Sequence, residues 1–286
     1  MTGKLKLGLL GNGIGRSRSP FLHELIGRAY GLEVTYLPID LSAQQQVNIE
    51  DELQRCQQQG FNGVNVTHPY KRAAFQYVTP MAGFPQGLTS VNTVLFDGNM
   101  MRANNTDFSG FCHAYRDQFG GGSNPGRVLM LGTGGVGLAI AFGLMQLNAS
   151  ELVVYDTEVE RAQELISNLK GATIPVRQAG DSLVDEMLQA DGLINATPVG
   201  MYQYPGNPFP LEGFSLQRWA FDAVYTPENT EFLQQCKQHD IETLSGFKLF
   251  LYQGVDAFQY FSGISVDANR VETLFLQQYP LETLAS

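Results

Sequence analysis

Basic residues are scarce in this chain of 286 residues: 18 lysines and arginines stand against 28 aspartates and glutamates, a formal charge of −10. A nucleic-acid partner needs a basic stripe to neutralise phosphates, and the balance argues against one. Charged residues of both signs reach only 16%, while hydrophobic ones reach 43%, too apolar for a disordered chain. Yet no apolar run approaches the roughly 18 to 20 residues that span a bilayer, so no membrane role is expected. The start, Met1 to Leu10, holds too few apolar residues before Gly11-Asn12-Gly13 for a signal-peptide core and reads as the first strand of a cytoplasmic protein. Cysteine is equally sparse. Cys56, Cys112 and Cys236 are odd in number, widely spaced and outside any C-x-x-C pattern, so they suggest neither a disulfide framework nor zinc, only reduced and mostly buried thiols. His23, His113 and His239 have no acidic or cysteine companions at ligand spacing, and no metal is implied.

What is present is an alternation of strands and helices long enough, at roughly 150 residues per domain, for about two domains. Leu5 to Leu10 reads as a buried strand leading into a Gly-rich loop, with Ser19 as N-cap, Pro20 at the first helical position and Gly31 ending that helix. Val34 to Ile39 follows as a strand, Ala43 to Gln59 as an amphipathic helix, and Gly63 to Val66 as a third strand, an order that implies parallel pairing. Thr89 to Phe96 and Met100 to Ala103 flank Asp97-Gly98-Asn99, a hairpin signal that makes one edge antiparallel. Gly120 to Gly126 is the most linker-like segment. A second series follows: strand 128–131, helix 135–146, strand 152–155, helix 158–169, then strands near 174–177, 192–195 and 219–223. Residues 246–261 and 268–278 carry apolar residues at helical spacing. The expected fold is thus α/β: an N-terminal α/β substrate domain with a mostly parallel sheet, 1–107 completed by 246–286, and a Rossmann-type doubly wound domain, 108–245.

Gly132-Thr133-Gly134-Gly135-Val136-Gly137 matches G-x-G-x-x-G between an apolar strand and a helix of small residues, the context in which glycines let a helix N-terminus approach a pyrophosphate. Asp156 ends the next strand, nineteen residues beyond Gly137, where a carboxylate accepts from adenosine ribose hydroxyls and favours NAD; the alternative is that it only caps the next helix. NADP is disfavoured, because Thr157, Glu158, Val159 and Glu160 follow, with Arg161 the one nearby cation.

Five polar clusters fall near the ends of these elements: Ser17 to Pro20, Asn65 to Lys71, Ser90 to Thr93, Asn104 to Asp107 and Gly246 to Gln253. Each alone could be a cap or a turn; together their hydroxyls, amides, one ammonium and one carboxylate suit a small polyhydroxylated acid. Here the chain resembles the shikimate/quinate dehydrogenase family along nearly its whole length. The motifs, in the family's order, are S-x-S-P-x-x-H (Ser17 to His23), N-V-T-x-P-x-K (Asn65 to Lys71), V-N-T (Val91 to Thr93), N-T-D (Asn105 to Asp107), N-A-T-P-x-G-M (Asn195 to Met201), D-x-V-Y-x-P-x-x-T (Asp222 to Thr230) and G-x-x-L-x-x-x-Q (Gly246 to Gln253).

The resemblance implies that Ser17 and Ser19 hold a substrate carboxylate, that Thr67, Asn92, Tyr225 and Gln253 bind the carboxylate or ring hydroxyls, and that Lys71 and Asp107 form the catalytic pair. It implies that Asn195, Ala196, Thr197, Met201, Val224 and Gly246 line the nicotinamide side of the cofactor. The pair is read as one coupled acid/base unit beside the oxidised hydroxyl; the alternative is a surface salt bridge, and His68 reads as a helix-start residue. Departures from the common biosynthetic form, which serves aromatic amino acid synthesis, are Tyr155-Asp156-Thr157 in place of an Asn-Arg-Thr/Ser segment, Gly11 to Gly15 in place of G-x-P-I-x-H, Gly83 in place of an acidic residue, and Lys248 in place of glycine. They point toward an NAD-using branch. Serine at Ser19, where threonine or glycine accompanies quinate use in the family, favours shikimate over quinate or aminoshikimate. A non-catalytic dinucleotide sensor is the reading from another class, and the Lys71/Asp107 pair argues against it. The expected partner is a small-molecule substrate, and a homodimer is compatible with this organisation.

Overall fold

A computed structural model describes residues 3–279, which divide into two compact units, 3–109 with 251–279 and 110–250. The first unit opens with β1 (Lys4–Gly11), where lysines alternate with leucines until Leu7, Leu9 and Leu10 enter the core. A single 3-10 turn (Ile14–Arg16) leads to α1 (Ser19–Ala29). Arg18, not Ser19, is the N-cap, with Pro20 in the first turn, and the hydroxyl that meets the helix start is Ser17 Oγ, which accepts from Ser19 N at 3.2 Å. Gly31 does end this helix: it has φ +74°, donates to Arg28 O at 3.4 Å, and lets Leu32 N reach Gly27 O at 2.8 Å, the paired closure of a Schellman motif.

Next come β2 (Glu33–Asp40) and α2 (Ile49–Gln58). The helix is shorter than the 43–59 expected from apolar spacing, because Asn48 stops it on the N-terminal side by accepting from Glu50 N at 3.0 Å. After β3 (Gly63–Val66), α3 (Lys71–Phe75) and the two-residue β4 (Thr79–Pro80), β5 (Thr93–Asp97) and β6 (Met100–Asn104) form the hairpin around Gly98-Asn99. The strand expected from Thr89 starts at Thr93, since Ser90 and Asn92 are used by side-chain bonds described below. The sheet order is β2-β1-β3-β5-β6-β4, so the antiparallel hairpin lies inside β4 rather than at the edge. One face packs Leu10, Leu53, Val64, Val66 and Val94; the other packs Leu7, Leu9, Tyr36 and Phe261.

Helix α4 (Thr106–Phe119) starts in the first unit and continues in the second. The second unit is then β7 (Arg127–Leu131), α5 (Gly135–Gln146), β8 (Glu151–Tyr155), α6 (Val159–Asn168), β9 (Val176–Gln178), α7 (Leu183–Leu188), β10 (Gly192–Asn195), β11 (Trp219–Asp222), α8 (Glu231–Gln238) and β12 (Glu242–Leu244). The expectations placed no helix at α4 and also missed the short α3, β4, α7, α8 and β12. The linker-like Gly120 to Gly126 joins α4 to β7 within this unit rather than joining the two units. The all-parallel order β9-β8-β7-β10-β11-β12 is the doubly wound dinucleotide-binding topology. Val128 to Leu131 of β7 are buried, as a parallel strand covered on both faces requires, and Leu138 to Ile140 of α5 are fully buried as well. Helix α9 (Gly246–Ser262) carries the chain back to the first unit, which α10 (Ala268–Gln278) completes. Among the described residues no helix is long and apolar enough to cross a membrane, and no group of three His, Cys, Asp or Glu could hold a metal ion. None of the three cysteines is in a disulfide, and all three are buried.

Candidate functional site

In the first unit four of the polar clusters are laced together near the ends of β1, β3 and β6. Thr67 follows β3 and donates its N–H to Leu10 O at 2.9 Å, while Asn12 N donates to His68 O at 3.0 Å, so the Thr67 segment is laced to the loop that leads to Ser17. Tyr70 Oη adds a bond to Asn12 Oδ1 at 2.8 Å. Asp40, the last residue of β2, accepts from Gly13 N at 3.1 Å and Ile14 N at 3.2 Å, fixing the same loop from the other side. Bonds from Ser42, joined by weaker contributions from Gly13 and Ile14, outweigh the opposing effect of burial and hold the Asp40 carboxyl below its usual range. Ser17 and Ser19 emerge from this loop half-buried, with their hydroxyls 3.2 Å apart.

Lys71 is the first residue of α3, and its Nζ lies 2.6 Å from Asp107 Oδ2 in the first turn of α4. The two side chains are 14% and 8% exposed, which removes the surface salt bridge as a description of the pair. Asn105 caps α4 by accepting from Asp107 N at 3.1 Å, and is itself anchored to Ser90 O at 2.9 Å. Next to it, Asn92 Oδ1 accepts from Thr106 N at 2.7 Å, Thr106 Oγ1 at 3.1 Å and Thr93 Oγ1 at 3.0 Å. Three donors on the oxygen fix which way round the amide stands and leave its nitrogen as the donor for a ligand. Asn65, counted from sequence among the ligand amides, is spent internally: it accepts from Tyr36 Oη at 2.9 Å and donates to Asn92 O and Thr93 Oγ1, both at 3.1 Å. Under Tyr36 lies His23, stacked at 4.6 Å between ring centroids and kept neutral by burial, which pushes its pKa down to about 3. Gln253 is half-buried on α9.

The second unit presents its glycine-rich turn at the carboxyl end of β7, beside β10, the point where the strand order reverses. Gly132 has φ +94°, and a Cβ there would stand 2.6 Å from the Ala196 carbonyl carbon and 2.8 Å from Thr197 N. Only glycine allows that approach. Gly134 is the N-cap of α5, exposed and with no side-chain cap, and nothing stands within 4 Å of where its Cβ would be. The first-turn N–H groups around Gly135, Val136 and Gly137 are therefore available to an anion, and a dinucleotide pyrophosphate fits this cradle.

Asp156 does more than either sequence reading allowed. Its Oδ2 accepts from Thr133 N at 2.9 Å and Thr133 Oγ1 at 2.7 Å, and its Oδ1 from Glu158 N at 3.1 Å, while the N-cap of α6 is Glu158 itself. Burial raises its pKa, but these bonds and nearby Arg161 outweigh it, so the carboxyl is held below its ordinary value. Three donors occupy three of about four lone-pair sites on the carboxylate. Arg161 is itself paired with Glu158 at 2.9 Å.

Asn195, expected to line the cofactor, has no side-chain hydrogen-bonding capacity to spare. Its Nδ2 donates to Val199 O at 2.8 Å and Asp222 Oδ1 at 2.9 Å, and its Oδ1 accepts from Thr197 N at 3.0 Å and Thr197 Oγ1 at 2.7 Å. Ala196, Thr197 and Met201 are half-buried on the loop it shapes. Val224 follows β11, Gly246 backs onto the carbonyls of Ala223 and Val224, and Tyr225 stacks on Phe250 with centroids 5.1 Å apart. Asp40, Asn12 and Asp222 were missed as contributors. The available signal was a strand ending in aspartate after a glycine-rich loop, which Asp40 shares with Asp156.

A family model described as the shikimate dehydrogenase substrate binding domain matches residues 9–94. The chain is 35% identical over 286 residues to the shikimate dehydrogenase (NADP(+)) of Pseudarthrobacter chlorophenolicus, covering 98% of this chain and 97% of that one. It is also 35% identical over 282 residues to a quinate/shikimate dehydrogenase (NAD(+)) of Corynebacterium glutamicum, covering 96% and 99%. Among solved structures, the quinate dehydrogenase of Corynebacterium glutamicum in complex with NAD superposes with a TM-score of 0.89 at 34% identity, over 96% of this chain and all of that one. Identity of this extent, over both units and on the same α/β architecture, makes the chain a member of the shikimate dehydrogenase family.

Proposed function

We propose that the chain is an NAD-preferring dehydrogenase that interconverts shikimate and 3-dehydroshikimate, with its first unit holding the substrate and its second the dinucleotide. The observation that carries the reading is the Lys71–Asp107 pair, 2.6 Å apart, largely removed from water and set beside an oriented Asn92. The bound dinucleotide supplies hydride acceptance and return at its nicotinamide ring. Lys71 Nζ then serves the substrate hydroxyl: in the reducing direction its ammonium gives a proton to the oxygen that was the carbonyl, and in the oxidising direction the amine takes that proton back. Asp107 holds the lysine in place through both. Ser17 and Ser19 donate their hydroxyls to the substrate carboxylate, and Thr67, Asn92 and Gln253 take up ring hydroxyls, with Tyr225 as a further substrate contact.

The Gly132 to Gly137 turn would hold the pyrophosphate, with Ala196, Thr197, Met201, Val224 and Gly246 lining the nicotinamide half. NAD preference is supported by the anchored Asp156 carboxylate, which keeps one lone-pair site for a ribose hydroxyl and would stand against a 2′-phosphate. Arg161, the cation that follows Asp156 in sequence, is tied to Glu158. Quinate is the second reading, favoured by similarity to the Corynebacterium glutamicum quinate dehydrogenase.

One assay separates the readings: reduced-dinucleotide formation followed by absorbance with shikimate, quinate and aminoshikimate, each with NAD and NADP. Faster turnover of shikimate with NAD is expected. Dominant quinate turnover would replace the substrate assignment, dominant NADP use would replace the cofactor assignment, and silence with every pair would leave a dinucleotide-binding protein without catalysis.

A further inference from the structure

Asp222 is a carboxylic acid with no solvent exposure at the end of β11, and the chemistry above makes no use of it. Its register partner in the sheet is Asn195, the last residue of β10. Beyond this pair the ladder has one more bond, Ala223 N to Asn195 O at 2.8 Å, after which the two chains diverge. Side chains take over from there. Asp222 Oδ1 accepts from Asn195 Nδ2 and from Val224 N, both at 2.9 Å, and Oδ2 accepts from Thr230 Oγ1 at 2.6 Å, the N-cap residue of α8. Asn195 passes the constraint on to Thr197 and Val199.

We propose that Asp222 is a positioning residue for the nicotinamide half of the dinucleotide: its carboxylate cross-links the Asn195 to Met201 loop and the Val224–Tyr225 segment, holding both in one fixed arrangement. The inference rests on the reading that these segments take the nicotinamide half. Burying an acid is costly, and a tie that only stabilised the fold would be served more cheaply by apolar packing. Here the acid is retained with three donors converging on it, two of them from the segments in question. Burial pushes its pKa up to about 7 even though all three bonds favour the charged form. The adenosine and pyrophosphate half, by contrast, falls to the Gly132 turn and Asp156, which make no bond to Asp222.

That division supplies the test. Purified full-length chain is titrated with NADH, NADPH and ADP-ribose, wild type against Asp222→Asn and Thr230→Val. The amide variant turns one acceptor into a donor; the valine variant removes the Thr230 hydroxyl and leaves the other two bonds. Losing one or two such bonds is expected to weaken reduced-dinucleotide binding about tenfold while ADP-ribose binding and the KM for shikimate stay within about twofold. Equal weakening of ADP-ribose and NADH would reveal general damage to the second unit and overturn the assignment, as would unchanged NADH affinity in both variants. If Asp222→Asn does not fold, Thr230→Val decides by the same split. Wild-type chain that binds neither reduced dinucleotide would overturn the underlying functional reading as well, which no variant result alone can do.

Discussion

Lys71 and Asp107 are 36 positions apart in the chain, and the 2.6 Å between their charged atoms is what gives each its role. A lysine alone at the start of α3 is an ordinary solvated cation; beside a buried aspartate it is held in one place, as the proposed acid/base role requires. Lys71→Ala is therefore expected to lower turnover by about 10²- to 10⁴-fold, the usual worth of a positioned acid/base. Fluorescence titration should show NADH affinity nearly intact, and loss of both together would sink the assignment. Ser19 tests a subtler point. Its hydroxyl sits 3.2 Å from that of Ser17, and on the proposed reading it meets the carboxylate end of the ring, where shikimate and quinate differ, so an added methyl there would change the discrimination between the two. Ser19→Thr should raise kcat/KM for quinate relative to shikimate, measured on the same preparation; an unchanged ratio removes this residue from the specificity argument.

Elements in this protein begin and end where single side chains or glycines meet orphan backbone groups. Asn48 starts α2, Thr230 starts α8, Asp267 starts α10 by accepting from both Asn269 N and Arg270 N, and Gly31 closes α1. Apolar spacing alone extended α2 back to Ala43, because periodicity does not register a cap that interrupts it. Gly31 offers a clean measurement. No atom lies within 4 Å of where its Cβ would be, so Gly31→Ala suffers from backbone conformation and not from collision. At φ +74° the substitution should cost about 1 to 2 kcal/mol. Chemical denaturation would show this as a lower midpoint at unchanged slope, and a neutral result would mean that the turn relaxes to another closure.

At the scale of the whole molecule, an acidic chain keeps its few cations where they count. Arg177 bridges β9 to β8 and α7, donating to Glu151 at 2.8 Å and to both oxygens of Glu186 at 2.8 Å, and Arg127 of β7 reaches Glu186 at 2.7 Å. Bonds from Arg177, then from Gly180 N, overcome the upward effect of burial and bring the Glu186 carboxyl down to about 2 from its ordinary 4.5. A depressed folded-state pKa means that the contribution is complete above 4.5 and is lost as pH falls toward 2. Glu186→Gln should therefore melt lower at neutral pH, by about 2 kcal/mol of stability, and lose less than wild type on acidification through that interval. Parallel melting curves for the two chains would remove the network from the account.

The alternation of the main strands and helices, the glycine turn before α5 and the carboxylate at the end of β8 were legible in the sequence, because each is a property of contiguous residues: side-chain periodicity, backbone freedom and fixed spacing. Seven short motifs likewise marked the candidate site residues. What they could not reveal was which of those residues face a ligand. Asn65 and Asn195 have the same chemistry as Asn92, yet two of the three are consumed by the fold, by partners such as Tyr36 and Asp222 that lie 29 and 27 positions away. A hydrogen bond is satisfied by whichever group tertiary contact brings within reach. Sequence thus determined the inventory of donors, acceptors and charges, and only the folded arrangement decided which were spent internally and which remained free.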